Sequence, residues 1–214
     1  MNVLVTGTAR GIGLAIAQKF LAEGHRVWGV DLLPGAIEHP AYAHVQGDIR
    51  EVTANVPDLA VLVNNAGTLE EADAIDVNLM GTMAFTERHI GSPALKSVLF
   101  VASSSARNGA EFPRYVASKA GLVGYMKNLA LNLSRRGVTV NSVSPGGVVT
   151  PANDHILKSP ALYGAVKAET LLRKWATAEE VADLVYYLSA VNRSITGEDI
   201  LMDNGEQLKS NFIW

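Results

Sequence analysis

Tyr115 and Lys119 are the two residues of this sequence whose types and spacing best suit proton transfer. They lie four positions apart in a stretch with helical periodicity, so they share one face of a helix. A free tyrosine titrates near pH ~10, and a cation within about 4–6 Å can lower its pKa by about 1–3 units. We therefore expect Lys119 to bring the Tyr115 phenol toward acid–base work near neutral pH. Taken alone, such a pair is more often a solvated lysine on a helix surface.

Three consecutive serines, Ser103, Ser104 and Ser105, end a predicted strand upstream of Tyr115. A hydroxyl at that point can donate a hydrogen bond to a substrate oxygen and orient it. Serines at strand ends are also common turn residues. The triplet is therefore a second candidate element of the same site.

A glycine-rich loop, Thr6 to Gly13, follows the first predicted strand directly and leads into a helix. Its glycines Gly7, Gly11 and Gly13 let the backbone turn tightly and approach a pyrophosphate, and the helix N-terminus offers free N–H groups. Asp31 follows 18 residues after Gly13, at the end of the next strand, where an acid can bind ribose hydroxyls. The loop predicts a dinucleotide site, and an ordinary glycine-rich turn is the alternative.

The elements that position these residues alternate between short apolar strands and longer amphipathic helices. This alternation predicts a doubly wound α/β fold with a parallel sheet and right-handed crossovers. The predicted strands are Asn2–Thr6, Arg26–Val30, Ala43–Gln46, Ala60–Asn64, Ser97–Ala102, Thr139–Val143 and Asp199–Met202. The predicted helices are Ile12–Glu23, Glu70–Ile90, Phe112–Arg136 and Ala178–Ala190, the last with a Thr177–Glu180 capping box. The longest irregular stretch, about residues 145–175, is expected to be a functional substrate loop.

Composition narrows the class of protein. The 214 residues are 48% hydrophobic and 18% charged, with net charge −3 and no cysteine, which excludes bulk disorder, disulfides and thiolate chemistry. We expect one domain over residues 1–214, and a cytoplasmic location, because neither a signal peptide nor an apolar run of about 18 residues is found. The mild acidity gives no basic footprint for nucleic acid, and no histidine pair has metal-ligand spacing, so no metal, nucleic-acid or membrane partner is expected.

Further motifs complete a pattern that resembles the short-chain dehydrogenase/reductase family along nearly the whole chain. After the Thr-Gly-x-x-x-Gly-Ile-Gly loop they are Asn64-Asn65-Ala66-Gly67, Asn78, Tyr115-Val116-Ala117-Ser118-Lys119, Asn141 to Gly146 with Val148 and Thr150, and Thr196-Gly197 through Asp203 and Gly205. The resemblance implies a Rossmann-like sheet of about seven strands. It also implies an NAD(P)-dependent oxidoreductase that moves a hydride between nicotinamide and a secondary alcohol or ketone.

The resemblance also implies catalytic roles. Tyr115 would protonate the carbonyl oxygen and take the proton back in oxidation, and Lys119, with the oxidised nicotinamide, would lower its pKa and hold the nicotinamide ribose. The Asn78 carbonyl would bind a water that reaches Lys119. Ser103 aligns best with the family serine, and alternation along the strand favours it over Ser104. Ser104 stays open because Ser103 lies 12 residues before Tyr115, one fewer than the family usually has.

By the same resemblance, one set of residues would bind the cofactor. The set is Gly7, Arg10, Gly11, Ile12, Gly13, Asp31, Asp48, Ile49, Asn65, Ala66, Gly67, Tyr115, Lys119, Val148 and Thr150. Asp31 would repel a 2′-phosphate and favours NAD, whereas the guanidinium of Arg10 suits that phosphate and favours NADP. NAD is favoured and NADP remains the alternative.

Two segments look shorter than is usual for the family. Only 15 residues separate Asp48 from Asn64, and 10 separate Gly67 from Asn78. Similar trimming occurs in the bacterial 3α-hydroxysteroid dehydrogenase/carbonyl reductase branch. We therefore predict a truncated helix and a trimmed loop at the edge of the sheet.

The substrate is expected to be a small alcohol or ketone held by an apolar wall from residues 106–114 and 150–175. The candidate wall residues are Phe112, His155, Ile156, Leu157, Tyr163 and Trp175, although Trp175 and Trp214 suit core or interface packing as well. By analogy, the helices Glu70–Ile90 and Phe112–Arg136 would pair subunits in a homodimer or homotetramer, with the apolar tail Phe212–Trp214 against a neighbour.

Two alternative functions remain at this stage. A non-catalytic dinucleotide-binding sensor or scaffold would be expected to lack the intact Tyr-Lys pair. A sugar-nucleotide epimerase shares that pair, but it needs an additional substrate domain for which 214 residues leave no room.

Overall fold

The seven strands of the main sheet lie within a residue or two of those that the sequence predicts, and two short strands, Val148–Val149 and Ala176–Thr177, were not predicted. The computed structural model describes residues 1–209, and all statements below concern that range. The strands are β1 Asn2–Thr6, β2 Arg26–Asp31, β3 Tyr42–Gln46, β4 Leu59–Asn64, β5 Ser97–Val101, β6 Thr139–Pro145, β7 Val148–Val149, β8 Ala176–Thr177 and β9 Asp199–Met202. Seven of them form one parallel sheet in the order β3-β2-β1-β4-β5-β6-β9, and β7 pairs with β8 alone. The prediction of a doubly wound parallel sheet is confirmed.

The helical segments are less regular than the predicted ones. The α-helices are α1 Gly11–Ala22, α2 Thr82–His89, α3 Ser105–Asn108, α4 Pro113–Leu133, α5 Asp154–Leu157, α6 Pro160–Ala168 and α7 Ala178–Tyr186. Two π-helical segments cover Ile75–Gly81 and Tyr187–Val191, and 3₁₀ turns cover Ser134–Arg136, Pro151–Asn153 and Glu206–Leu208. Among the described residues, no helix has the length and apolarity needed to cross a bilayer.

The sheet buries both faces because successive side chains of each strand point to opposite sides. In β1, Val3 and Val5 pack on one side with α1 and α7, while Leu4 packs on the other side with α2 and α4. The strand order reverses between β1 and β4, and a crevice forms at such a reversal beyond the carboxyl ends of the strands. The glycine loop after β1 and the Asn-Asn-Ala-Gly segment after β4 are thereby brought to the same place.

The helix predicted over residues 70–90 is wrong in its first turn and in its type. Residues 71–73 form a turn, the π-helix Ile75–Gly81 begins after Ala74, and the α-helix proper covers Thr82–His89. The buried amide of Asn78 accounts for part of this departure, since it accepts a hydrogen bond from the Thr68 N–H at 2.7 Å and donates one to the Thr68 carbonyl at 2.9 Å. These two bonds hold the preceding loop against the helix, where a regular first turn would otherwise extend.

The expectation of an irregular stretch over residues 145–175 is also wrong. This segment contains β7, the 3₁₀ turn Pro151–Asn153, α5 and α6. The Ser159 hydroxyl caps α6 by accepting from the Leu162 N–H, and Pro160 occupies the first helical position. The predicted capping box before α7 is confirmed, because Glu180 N–H donates to Thr177 at 3.2 Å and Thr177 N–H donates to Glu180 at 2.9 Å.

The connections on either side of β3 account for the first of the two short segments, Asp48 to Asn64. Neither residues 32–41 nor residues 47–58 contain a helix. In the second connection, Val52 and Val56 pack directly against the core. The shortening predicted from the sequence therefore removes the helix from the edge of the sheet instead of truncating it.

Candidate active site and cofactor cleft

Thr6 joins the two motifs at the reversal point of the sheet. Its hydroxyl oxygen accepts hydrogen bonds from the backbone N–H groups of Asn65 and Ala66, each at 3.0 Å. The Asn65 side-chain amide donates in return to the Thr6 carbonyl at 3.0 Å. These bonds fix the glycine loop against the segment after β4.

A cleft of about 500 Å³ opens over this junction. Among its lining residues are eleven that the sequence predicts to bind the cofactor: Gly7, Arg10, Gly11, Ile12, Asp31, Asp48, Ile49, Asn65, Ala66, Gly67 and Thr150. Sequence reasoning missed Leu32, Leu33, Gly47, Arg50, Thr68, Asp73, Val77, Pro151 and Ala152, which complete the lining. The cleft is of the size that small-molecule and cofactor sites usually have.

Gly13 and Val148, also predicted to bind the cofactor, do not line the cleft. A Cβ on Gly13 would lie 2.0 Å from the Gly7 carbonyl oxygen, so this glycine allows α1 to pack closely on the loop. Val148 is buried in β7, and its carbonyl accepts a hydrogen bond from Asn153. Both residues therefore support the cleft from behind.

The glycine loop has the form that a dinucleotide requires. Gly7 has φ +76°, and a Cβ there would lie 2.7 Å from the Asn65 amide nitrogen. Gly11 has φ +60° and faces Thr150, whose side chain would be 3.6 Å from an added Cβ. The first turn of α1 has no side-chain cap, so its N–H groups are available to an anion. These features fit a pyrophosphate.

Asp31 is held at the lip of the cleft by two backbone groups. One carboxylate oxygen accepts from the Ala9 N–H and the other from the Leu33 N–H, both at 2.9 Å. Arg10 is exposed and forms no ion pair within residues 1–209. The Asp31 carboxylate is thus fixed in position, whereas the Arg10 guanidinium has no charged partner among the described residues.

Asp48 has a partner that the sequence analysis missed. The Arg50 guanidinium lies 2.6 Å from its carboxylate, and this hydrogen-bonded pair lowers the pKa of Asp48. The pair sits at the end of the cleft next to Ile49. The positive charge of Arg50 therefore balances the negative charge of the Asp48 carboxylate in this part of the cleft.

A hydrogen-bonded chain supports the cleft beneath Asp31. The Thr8 hydroxyl lies 2.9 Å from the Tyr42 hydroxyl, which lies 3.1 Å from Nδ1 of His44, and Nε2 of His44 lies 2.9 Å from the Leu33 carbonyl. Gly29 makes room for this chain, since a Cβ there would lie 2.0 Å from the Tyr42 oxygen. The sequence carried no signal for these contacts because they join three separate strands and loops.

A second cavity of about 610 Å³ adjoins the cleft and contains Ser103, Tyr115 and Lys119 in its wall. The two cavities share Asn65, Gly67, Thr68 and Ala152. The Lys119 ammonium is buried, donates to the Val101 carbonyl at 3.0 Å and lies 5.8 Å from the centre of the Tyr115 ring. Ser103, which follows β5, and Tyr115 and Lys119, which lie on α4, therefore meet at this cavity, whereas Asn78 does not line it.

The pKa of Tyr115 is raised in the structure, whereas the sequence predicts that Lys119 lowers it. Burial raises the pKa of Tyr115, a hydrogen bond with Ser103 opposes that effect, and Glu111 raises it slightly further. Burial also lowers the pKa of Lys119 to about 8. Both groups are desolvated, and desolvation disfavours the phenolate and the ammonium alike, so the chain by itself keeps Tyr115 protonated at neutral pH.

The three serines of the triplet differ in their contacts. Ser103 is the residue that bonds with Tyr115, and its hydroxyl oxygen lies 2.6 Å from that of the buried Ser105. Ser104 also reaches the cavity, and its backbone begins α3. The geometry favours Ser103 as the hydroxyl beside the phenol.

Asn78 lines neither cavity. Its side chain is fully buried and, besides its bonds to Thr68, donates to the Ser118 hydroxyl at 3.3 Å. It therefore ties the π-helix to α4 one residue before Lys119. The water relay through its carbonyl remains a prediction.

The substrate wall differs from the apolar one expected. Phe112, His155, Ile156 and Trp175 line the cavity, whereas Leu157 and Tyr163 do not. Tyr163 instead packs edge-on behind Trp175, with ring centroids 5.8 Å apart. Three carboxylates that the sequence analysis did not anticipate, Glu111, Glu169 and Glu206, also line the cavity, so its wall combines apolar and acidic residues.

Two further findings concern metal ions and the end of the chain. Residues 1–209 contain no group of three or more His, Cys, Asp or Glu side chains placed to hold a metal ion. The tail Phe212–Trp214, predicted to pack against a neighbouring subunit, lies outside the described residues.

Comparison with known proteins agrees with this architecture. The family model described as "Enoyl-(Acyl carrier protein) reductase" matches residues 7–207. The 3-oxoacyl-[acyl-carrier-protein] reductase MabA of Mycobacterium avium is 33% identical, with 95% of this chain and 89% of that protein covered. The short chain dehydrogenase adrF of Penicillium roqueforti is 30% identical, with coverage of 94% and 95%. Among solved structures, an oxidoreductase of the short chain dehydrogenase/reductase family from Burkholderia thailandensis is 31% identical and superposes with a TM-score of 0.85. The superposition covers 97% of this chain and 93% of that one.

Proposed function

The chain belongs to the short-chain dehydrogenase/reductase family of NAD(P)-dependent oxidoreductases, and on this premise we propose that Tyr115 is its catalytic acid and base. The reaction class is hydride transfer between the nicotinamide cofactor and an alcohol or ketone. The observation that carries the proposal is the convergence of Ser103, Tyr115 and Lys119 on a cavity that adjoins the glycine-loop cleft.

The proton path runs through the phenol of Tyr115. When bound, the nicotinamide cofactor supplies the hydride in reduction and accepts it in oxidation. Tyr115 gives its proton to the substrate carbonyl oxygen in one direction and removes a hydroxyl proton in the other. Ser103 donates a hydrogen bond to the same oxygen and is itself oriented by Ser105. Lys119 supplies the positive charge that stabilises the phenolate after the proton has left.

NAD is the proposed cofactor, because the Asp31 carboxylate is held in place at the edge of the cleft and would repel a 2′-phosphate. Asp31 accepts hydrogen bonds from Ala9 and Leu33 on both oxygens, so it cannot turn away from a 2′-phosphate without losing them. Arg10 is exposed and can be displaced at little cost. The glycine loop, Asp31, the Asp48–Ile49 segment, Asn65–Gly67 and Thr150 would hold the dinucleotide.

We also propose that residues 1–214 act as one catalytic domain and that two or four copies associate. One family model spans residues 7–207 without interruption. Met80 of the π-helix is 55% exposed and Leu131 of α4 is 75% exposed, and both would lose contact with water in a dimer built on these helices. Light scattering on the purified protein measures how many copies associate, and a monomer at all concentrations would contradict the proposed assembly.

The test of the proposed function follows nicotinamide absorbance with purified protein, NADH or NADPH, and a panel of ketones, diketones, steroids and sugars. Tyr115→Phe should lower kcat by at least about 10²-fold while NADH still binds. Tyr125→Phe is the matched control, since Tyr125 lies on the same helix and its hydroxyl has no hydrogen-bond partner within the described chain. Undiminished turnover in Tyr115→Phe would overturn the assignment of the acid and base.

A further inference from the structure

The cavity beside Tyr115 carries a carboxylate that lacks a hydrogen-bond donor. Of its three glutamates, Glu169 pairs with Lys209 at 3.3 Å and Glu111 is exposed. Glu206 is partly buried, and its carboxylate has no hydrogen-bond or ion-pair partner among residues 1–209. Burial raises the pKa of Glu206, and Asp203, Glu169 and Glu111 raise it further. A ligand that donates hydrogen bonds would relieve this desolvated acceptor.

Trp175 contributes a hydrogen-bond donor, its indole N–H, to the same cavity. It is only 8% exposed and lies against Gly147, where an added Cβ would be 2.2 Å from Cε2 of the indole. Its Nε1–H donates to no acceptor in the part of the chain that the structure describes. The N–H group is not among the buried unpaired atoms of the described chain, so it is open to the cavity and available to a bound molecule.

Two asparagines extend this mixed polarity. The Asn108 oxygen accepts from the Ala110 N–H at 2.9 Å, which leaves its amino group as a donor. The Asn153 amino group donates to the Val148 carbonyl at 2.8 Å, which leaves its oxygen as an acceptor. Both residues line the cavity. The wall thus presents donors and acceptors together.

We propose that the substrate is a neutral polyhydroxylated molecule of the aldose or polyol class, with hydroxyl groups bound by Glu206 and Trp175. This inference rests on the proposed function and names the substrate class of the same site. A hydroxyl group both donates and accepts, so it can satisfy the Glu206 carboxylate and the Trp175 N–H at once. In oxidation the reacting C–H bond gives its hydride to the nicotinamide, the O–H bond gives its proton to Tyr115, and a C=O group remains.

The two charged alternatives fit less well. A substrate carboxylate or an acidic thioester would face Glu111, Glu169 and Glu206, and like charges in a cavity repel. An ammonium group would suit Glu206, but it has no lone pair for the Trp175 and Asn108 donors. A simple hydrocarbon alcohol offers a single hydroxyl group, so most of these donors and acceptors would gain no bond from it, whereas a polyol can bond to several of them.

The experiment compares kcat/KM with NAD⁺ for myo-inositol, D-glucose, cyclohexanol, 2-aminocyclohexanol and 3-hydroxybutyrate. We expect myo-inositol or D-glucose to exceed the other three by at least about 10²-fold. Glu206→Gln and Trp175→Phe should each raise KM for the polyol by about tenfold, with kcat changed less and the cyclohexanol rate unchanged. Glu179→Gln is the matched control, because Glu179 is an exposed glutamate of α7 that lines neither cavity.

A binding measurement separates this inference from the proposed function. With NADH present, D-glucose or myo-inositol should raise the Tm of the wild type, and should raise that of Glu206→Gln clearly less at the same concentration. Preferred turnover of cyclohexanol, the amino alcohol, 3-hydroxybutyrate or acetoacetyl-coenzyme A, abolished by Tyr115→Phe, would overturn the polyol class and leave the proposed function standing. Polyol binding without turnover of any compound would support the polyol class and overturn the proposed function.

Discussion

The Lys119 ammonium donates a hydrogen bond to the Val101 carbonyl across 3.0 Å, and this bond joins α4 to the last residue of β5. Ser103 follows β5 by two residues, and Tyr115 lies one turn before Lys119 on α4. The bond therefore couples the position of the serine to that of the tyrosine. The site is assembled from a strand end and a helix, and such elements position side chains more precisely than loops do.

Replacing Lys119 tests whether its charge serves catalysis or stability. In Lys119→Met the Val101 carbonyl loses a donor worth about 1 kcal/mol, but the chain also loses a buried cation. Because burial lowers the pKa of Lys119 to about 8, we expect these effects to offset each other and Tm to change little. The kcat should fall by at least about 10²-fold. Lys127→Met, an exposed position on α4, should leave both quantities unchanged, and full activity in Lys119→Met would contradict the proposed role.

Asp31→Asn should shift the cofactor preference toward NADP. The amide keeps one acceptor for the backbone and removes the charge that repels a 2′-phosphate. We expect the ratio of kcat/KM for NAD over NADP to fall at least about tenfold, or about 1.4 kcal/mol. Adding Arg10→Ala to Asp31→Asn should reverse part of the gain with NADP. A wild type that already prefers NADP would refute the proposed reading of Asp31.

Glu71 caps the catalytic helix from a distant loop. The N-cap residue of α4, Phe112, has no capping side chain, and Glu71 accepts from the Arg114 N–H at 2.9 Å instead. Glu71→Ala should destabilise the protein by about 1 kcal/mol, as the loss of a cap does, and lower kcat without changing the Kd of NADH. Urea unfolding and single-turnover rates measure the two effects. Glu70→Ala, an exposed neighbour, should show neither of them.

His89 should make stability fall in mild acid. Its Nδ1–H donates to the Phe85 carbonyl at 2.7 Å, and Nε2 accepts from the Ala54 N–H at 3.1 Å, so the ring is bound in its neutral form. Burial, more than any other factor, lowers the pKa of His89. A group with a lowered folded-state pKa that is neutral when deprotonated stabilises fully above the unfolded pKa of about 6.5. That stability is lost as the pH falls below this value.

Urea unfolding at pH 7.5, 6.0 and 5.0 measures the effect of His89. His89→Gln should flatten the acid side of the curve, whereas His39→Gln, at an exposed position, should keep the wild-type slope. An equal slope in His89→Gln and wild type would rule His89 out as the cause.

Local patterns in the sequence predicted what local geometry controls. The four-residue spacing of Tyr115 and Lys119 gave their shared helix face, and the glycines after β1 gave the loop, because both depend on backbone conformation over a few residues. The helix type around Asn78 could not be predicted, since it depends on the Thr68 backbone in another loop. The capped helix after Ser159 was missed although its Ser-Pro signal is local.

The chain order of strands, helices and motifs thus determined the fold, the family and the reaction class. Apolar periodicity and glycine spacing are properties of contiguous residues, and a sequence displays them directly. Tertiary structure alone placed Glu206 in the wall beside Tyr115, paired Asp48 with Arg50, and set the direction of the Tyr115 pKa. Desolvation and hydrogen bonding between distant segments depend on which groups share a cavity, and only the folded chain brings those groups together.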